Sequence, residues 1–257
     1  MQNGGIDYKN QKEFHIFVAS SYPDLKEFKV NGELAAFNKL LLKTLPQVKR
    51  YITNRMNTAL SKGKLPREKC QRDEFFNQLF IVVYNYLEEV QSEEDLHPWL
   101  FKKADGIMEN TIFDEEYDNS FYEKIDIFSK SDWDEMEKAF CIDGDRRLGM
   151  MDERDDISFS KKNYVLNHVF VEDDNNEMIW QLKNEWGEEN IRRHADLVLY
   201  HLPLAMRTVF ELATEYHLTL EEIALIRNRS FAEVWRLLEN AREALEVSFY
   251  NRYNGKV

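Results

Sequence analysis

Residues 202–245 read LPLAMRTVFELATEYHLTLEEIALIRNRSFAEVWRLLENAREAL. Two capping-box patterns follow one another within this stretch. A Thr-x-x-Glu pattern at Thr219 predicts a short helix through Ile226, and a Ser-x-x-Glu pattern at Ser230 predicts a longer one. Only residues 227–229 separate the two predicted helices. A short helix, a three-residue turn and a longer capped helix are typical of a helix-turn-helix.

Helical periodicity extends over most of the chain outside its first 32 residues and its acidic middle. Apolar residues recur at three- and four-residue steps over 34–56, with a break at Pro46, and again over 73–90. A further helix is expected after Leu96, since Pro98 suits a first helical turn. The sequence therefore predicts an all-α protein, with two helical bundles joined by an acidic linker.

The charge of the chain is concentrated in its middle. The net charge is −13, and residues 113–187 hold 21 acidic and 9 basic side chains, whereas both flanking segments are close to neutral. The sequence thus predicts four segments, which are an N-terminal extension of irregular or short structure (1–32), a bundle (33–112), an acidic linker (113–187) and a helix-turn-helix bundle (188–257). Aromatic residues within the linker predict partial order.

Several classes of protein are excluded by what the sequence lacks. The longest apolar run, Leu79 to Tyr84, is too short to span a membrane, and no leader segment opens the chain, so we expect a cytoplasmic protein. Cys70 and Cys141 lack the spacing of a zinc site or a disulfide framework. The Asp143-Gly-Asp145 run is interpreted as a solvated turn. Without a catalytic constellation or a phosphate-binding loop, we expect no enzyme activity, no cofactor and no metal.

The 202–245 stretch resembles region 4 of bacterial RNA polymerase sigma factors of the sigma-70 family. The resemblance rests on Leu-Pro-x-x-x-Arg-x-Val-Phe-x-Leu from Leu202, Leu-Thr-Leu-Glu-Glu-Ile-Ala from Leu218 and the closing Ala-Arg-Glu-Ala-Leu. A second resemblance, to region 2, lies upstream in the expected order, in EFFNQLFIVVY (74–84) and WLFKKA (99–104). Together they indicate the compact, two-domain type called extracytoplasmic-function.

The resemblance implies three sets of contact residues. Core RNA polymerase would be bound through Glu74, Asn77, Gln78 and Ile81. Promoter DNA would be contacted in region 2 by Trp99, Phe101, Lys102 and Lys103, because aromatic rings stack on unpaired bases and lysines neutralise phosphates. DNA or a partner protein would be contacted in region 4 by Arg227, Arg229, Ser230, Trp235, Arg236 and Arg242.

The DNA-facing positions depart from the family pattern. Where family recognition helices usually present Thr, Lys, Ser, Arg and Arg, this chain holds Glu233, Trp235, Arg236, Leu237 and Asn240. Each lost phosphate contact weakens binding to all DNA, and each lost bidentate base contact removes about 1 to 3 kcal/mol of discrimination. We therefore expect recruitment to promoters by a DNA-bound partner, such as an activator or an RNA-guided DNA-binding protein, through the side chains of Trp235 and Leu237.

The function inferred from the resemblance is that of a sigma factor. It would bind core RNA polymerase, direct promoter-specific initiation and be subject to an anti-sigma factor. The alternative is an inactive sigma paralogue, an interaction protein that titrates polymerase or an anti-sigma factor. An ordinary helix-turn-helix repressor, which would dimerise on palindromic sites, accounts less well for the region 2 resemblance. Trp235 itself is open to three interpretations, namely helix packing, a partner contact or a DNA contact.

Overall fold

The computed structural model describes residues 8–61, 72–109, 122–138, 169 and 176–253, and every regular element in these ranges is helical. The predicted all-α class is confirmed for this part of the chain. None of its helices is both long enough and apolar enough to cross a membrane. Four predicted features lie outside the described residues, namely the acidic clusters 114–118 and 152–156, the turn expected at Asp143–Asp145, and both cysteines.

The helices are, in chain order, α1 (Tyr8–Ser20), α2 (Tyr22–Val30), α3 (Leu34–Thr44), α4 (Pro46–Ser61), α5 (Arg72–Tyr86), α6 (Leu96–Glu109), α7 (130–138), α8 (Asn176–His201), α9 (Leu204–Thr214), α10 (Leu220–Arg227) and α11 (Phe231–Tyr253). A 3₁₀ turn, Leu87–Glu89, follows α5 directly. A second 3₁₀ turn, Tyr122–Lys124, precedes α7.

These helices belong to two compact units. The N-terminal unit contains the described residues from 8 to 109 together with Leu218–Phe231, and the C-terminal unit contains those from 122 to 217 and from 232 to 253. This division differs from the predicted boundaries in two places. Helix α10 belongs to the N-terminal unit, and residues 122–138 of the predicted acidic linker belong to the C-terminal unit.

Helix α6 is the central element of the N-terminal unit. It packs against α1, α4, α5 and α10. Because neighbours lie on several of its sides, most of its side chains are buried, including Leu100, Phe101, Ala104 and Met108. The boundary between α3 and α4 lies at Pro46, as predicted. Pro46 is the first residue of α4, where proline is tolerated because the first backbone amides of a helix make no hydrogen bond within the helix.

The described part of the N-terminal extension forms two helices, α1 and α2, which corrects the prediction of irregular or short structure. Pro23 lies in the first turn of α2, where proline is tolerated, and Gly32 has the positive φ of +69° that turns the chain into α3. The side chains of Val18 and Leu25 are fully buried. The Tyr22 hydroxyl donates a hydrogen bond to the Val90 carbonyl at 2.7 Å. Both helices are therefore part of the folded unit.

The C-terminal unit is built around α8 and α11. Helix α8 bends at Gly187, whose φ of 72° and ψ of 154° are not helical. Its second half supplies the buried residues Leu197 and Val198, and α11 supplies Phe249 to the same unit. Trp133 of α7 is fully buried as well, so this part of the acidic segment contributes to the core of the unit.

Candidate functional site

The residues expected to bind polymerase lie on one face of α5. Glu74, Asn77, Gln78 and Ile81 follow the i, i+3, i+4, i+7 spacing of a helical stripe, and all four are exposed. The Ile81 side chain is 60% exposed. The opposite face of the helix carries Phe75, Leu79 and Val83, which are buried. Phe76 and Phe80 are half-buried, so the apolar stripe of this helix is buried only in part.

Trp99 and Lys103 of α6 lie beside the 3₁₀ turn that follows α5. The Trp99 side chain is buried, with 9% of its surface exposed, which corrects its predicted role in stacking on DNA bases. The Trp99 Nε1 donates to the Glu89 carboxylate at 3.2 Å, and the Lys103 Nζ lies 2.6 Å from the same carboxylate. The Lys103 ammonium also lies 4.9 Å from the Tyr86 ring centre and 5.4 Å from that of Trp99. The hydrogen bond from Lys103, aided by that from Trp99, lowers the pKa of Glu89. One ammonium group is thus held between two aromatic faces and a carboxylate.

Phe101 is not available to DNA in this structure, which corrects its predicted role. Its side chain is fully buried, with ring centres 5.4 Å from Tyr51 and 5.1 Å from His97. The reason is that α6 has other helices packed around it, and the Phe101 ring lies against Tyr51 of α4. Lys102, in contrast, is exposed.

Arg227 is also buried, and its predicted contact with DNA or a partner is corrected in the same way. Its guanidinium donates to both carboxylate oxygens of Asp105, at 2.9 and 2.8 Å. The Arg55 guanidinium binds the same carboxylate, and the Tyr51 hydroxyl donates to it at 2.5 Å. Glu109 adds a second carboxylate 3.5 Å from Arg227. Burial raises the pKa of Tyr51, so its hydroxyl keeps the proton that it donates.

The start and end of α10 agree with the sequence. Thr219 and Glu222 form the predicted capping box, in which the Thr219 amide donates to the Glu222 carboxylate at 2.7 Å. Asn228 ends the helix with a positive φ of 48°, a conformation that asparagine tolerates. Beyond it, Arg229 is half-buried and Ser230 is exposed. The capping box stabilises the first turn of the helix that carries Arg227.

Helix α11 presents a mixed outer face. Trp235 is 52% exposed and Arg236 is exposed, whereas Leu237, expected beside Trp235 on a partner surface, is buried. Arg242 is half-buried and pairs with Glu239 at 2.7 Å. Helical geometry explains why Trp235 is exposed and Leu237 is buried, because residues two positions apart on a helix lie on different faces. The exposed apolar surface at this point is therefore that of Trp235.

A buried polar cluster in the C-terminal unit was not anticipated from the sequence. The Arg252 guanidinium donates to His194 Nδ1 at 2.8 Å and binds the carboxylates of Asp134 and Glu137 from α7. Burial, reinforced by the Arg252 charge, lowers the pKa of His194 to about 3. The indole of Trp133 packs edge-on against His194, with ring centres 5.0 Å apart. These contacts hold α7 in the unit.

In the part of the chain that the structure describes, no group of three or more His, Cys, Asp or Glu side chains is placed to hold a metal ion. The chain matches no protein-family model, no curated protein and no solved structure.

Proposed function

We propose that this chain is a sigma factor of the sigma-70 type, which binds core RNA polymerase in the cytoplasm and takes part in promoter-specific initiation. The observation that carries the proposal is the α5 stripe formed by Glu74, Asn77, Gln78 and Ile81, since the residues that the resemblance assigns to polymerase are all exposed on one face. An exposed isoleucine surrounded by polar side chains suits the centre of a protein interface with a polar rim.

The experiment that tests this proposal compares two exposed apolar residues of the same unit. Ile81→Glu places a charge in the α5 stripe, and Leu42→Glu places the same charge on α3, where Leu42 is also exposed. Burying an unpaired carboxylate in an interface is costly, so we expect Ile81→Glu to weaken binding of core polymerase at least tenfold, by about 1.4 kcal/mol or more. We expect Leu42→Glu to leave binding within about twofold of the original.

Promoter selection is proposed to depend on a DNA-bound recruiting partner. Burial of Trp99, Phe101 and Arg227 removes three of the expected DNA contacts beyond those already lost in the sequence of α11. Trp235, in contrast, presents an exposed indole on α11. Tryptophan is among the residues that contribute most to protein interfaces. We expect Trp235→Ala to abolish recruitment to promoters and to leave polymerase binding unchanged.

The same three buried residues favour one alternative, an inactive sigma paralogue that titrates polymerase or an anti-sigma factor. Such a protein needs the α5 stripe and has no need of DNA contacts. The two functions differ in a reconstituted reaction with core polymerase and a template that carries a pre-opened bubble. A recruited sigma factor supports transcription from that template, whereas a titrating paralogue binds polymerase and yields no transcript.

A further inference from the structure

The outer half of α3 combines exposed leucines with exposed lysines. Leu34 and Leu42, whose side chains are 53% and 47% exposed, lie about two turns apart along one row of the helix. Lys39 and Lys43 are exposed on the neighbouring row, about one turn apart. Val30, the last residue of α2, is 80% exposed and precedes Leu34 by a short turn. The outer face of α3, defined by these two leucines and two lysines, is therefore both apolar and basic.

No acidic side chain on α3 balances the two lysines. The helix reads LAAFNKLLLKT and contains neither aspartate nor glutamate. In the part of the chain that the structure describes, Lys39 and Lys43 form no ion pair, whereas Lys29 and Lys103 of the same unit each bind a glutamate. Like charges one turn apart repel each other, so a carboxylate placed beside both would be stabilising. The charge of this face is thus complementary to an acidic partner.

The inner face of α3 determines the direction in which the outer face points. Phe37 and Leu41 are fully buried, and the Phe37 ring meets that of Tyr84 of α5 edge-on, with ring centres 5.1 Å apart. The rows of leucines and lysines lie on the opposite side of α3, away from α5. The outer face of α3 is therefore a different surface from the α5 stripe.

Two other kinds of occupant account less well for this face. A second copy of the chain, packed face to face, would bring its own lysines against Lys39 and Lys43, and like charges across an interface oppose binding. A nucleic acid would neutralise the lysines with its phosphates but would give the leucines no apolar contact. A protein helix that carries both apolar and acidic side chains matches both rows.

We propose that the outer face of α3 docks an acidic amphipathic helix of a partner protein. Apolar side chains of the partner, spaced three or four residues apart, pack against Leu34 and Leu42, and its carboxylates pair with Lys39 and Lys43. Asn38 is exposed between the two leucines, so the partner has to offer a hydrogen-bonding group at that point. This inference goes beyond the proposed function and does not depend on it.

The test measures binding of the full chain to two fluorescently labelled helical peptides by anisotropy. Each peptide has about 15 residues, the length at which an isolated helix begins to be stable. The acidic peptide carries leucine at every fourth position with glutamates beside it, and the basic peptide has lysine in place of each glutamate. We expect the acidic peptide to bind at least about tenfold more tightly than the basic one.

Reversal of the two lysine charges tests the basic row. Lys39→Glu combined with Lys43→Glu should weaken binding of the acidic peptide at least about tenfold, because two ion pairs become two repulsions. The matched control is Lys26→Glu combined with Lys124→Glu, which reverses the same number of charges at two other exposed lysines. The control should change the affinity by less than about twofold.

Truncation of the two leucines tests the apolar row. Leu34→Ala combined with Leu42→Ala should weaken binding of the acidic peptide at least about fivefold, because apolar contact with the peptide is lost. Both side chains are exposed, so the circular dichroism spectrum of this variant should match that of the original chain.

Any one of four results would overturn the inference. The first is equal binding of the acidic and basic peptides, or binding of neither. The second is an equal loss in the lysine variant and its control, since a general charge effect would then explain both. The third is displacement of the peptide by an oligothymidylate whose own affinity falls in the lysine variant, which would assign the face to nucleic acid. The fourth is a dimer in sedimentation that the leucine variant dissociates, which would assign the face to a second copy.

Discussion

Replacement of Asp105 by asparagine should destabilise the N-terminal unit strongly. The carboxylate is fully buried and is shared by the Arg55 and Arg227 guanidiniums, which are themselves buried. Asp105→Asn leaves both cations without their central counter-charge, and breaking a buried ion pair from one side costs about 3 to 5 kcal/mol. Typical domains are stable by about 5 to 15 kcal/mol in total, so this loss is a large fraction of the stability of the unit.

Urea unfolding of the full chain, followed by circular dichroism, measures this effect. Glu93→Gln is the control, since this exposed residue of the same unit should change the free energy of unfolding by less than about 0.5 kcal/mol. The double variant Asp105→Asn with Arg227→Met should lose less stability than the sum of its single variants, by about 1 kcal/mol or more, because the residues are in direct contact. A loss below about 1 kcal/mol for Asp105→Asn would refute the reasoning.

Two further predictions concern the C-terminal unit and the dependence of stability on pH. Trp133→Ala should lower the free energy of unfolding by about 3 to 5 kcal/mol, because its indole is fully buried. Trp235→Ala, at an exposed site, should lower it by less than about 1 kcal/mol. Equal losses in thermal or urea unfolding would contradict the packing described for α7. Burial lowers the pKa of His97 to about 3 from 6.5, so the stability that its neutral ring provides is present above pH 6.5 and is lost as the pH falls. Between pH 8 and pH 5 this histidine alone should lower the free energy of unfolding by about 2 kcal/mol. His97→Gln should remove that part of the pH dependence, and identical pH profiles for the two proteins would show that His97 is not buried in its neutral form.

The sequence predicted the helices well because their signals are local. Apolar spacing placed α3, α4 and α5, and the Thr219–Glu222 pattern identified a capping box that the structure contains. The same spacing showed which face of α5 is exposed. Helices α1 and α2 were missed because proline and glycine near their ends were interpreted as signs of irregular structure.

The buried polar contacts were not predictable from local pattern. Arg227 and Asp105 are 122 positions apart, and nothing in either neighbourhood indicates that the two side chains meet. Phe101 was assigned to a DNA surface by the resemblance of residues 99–104 to region 2, but α6 has helices on several sides. Trp133 lies in a strongly acidic segment whose charge gave no indication of the core around the indole. Tertiary packing, rather than local sequence, determines whether these side chains are buried and which partners they contact.

A reconstituted reaction with purified core RNA polymerase, this protein and a promoter template containing a pre-opened bubble tests the central proposal most directly. The account predicts that the protein binds core polymerase and supports transcription from the bubble template. It also predicts that Ile81→Glu weakens polymerase binding at least about tenfold and lowers transcription accordingly, while Leu42→Glu changes neither by more than about twofold. Absence of polymerase binding by the intact chain, or binding that Ile81→Glu leaves unchanged, would contradict the account.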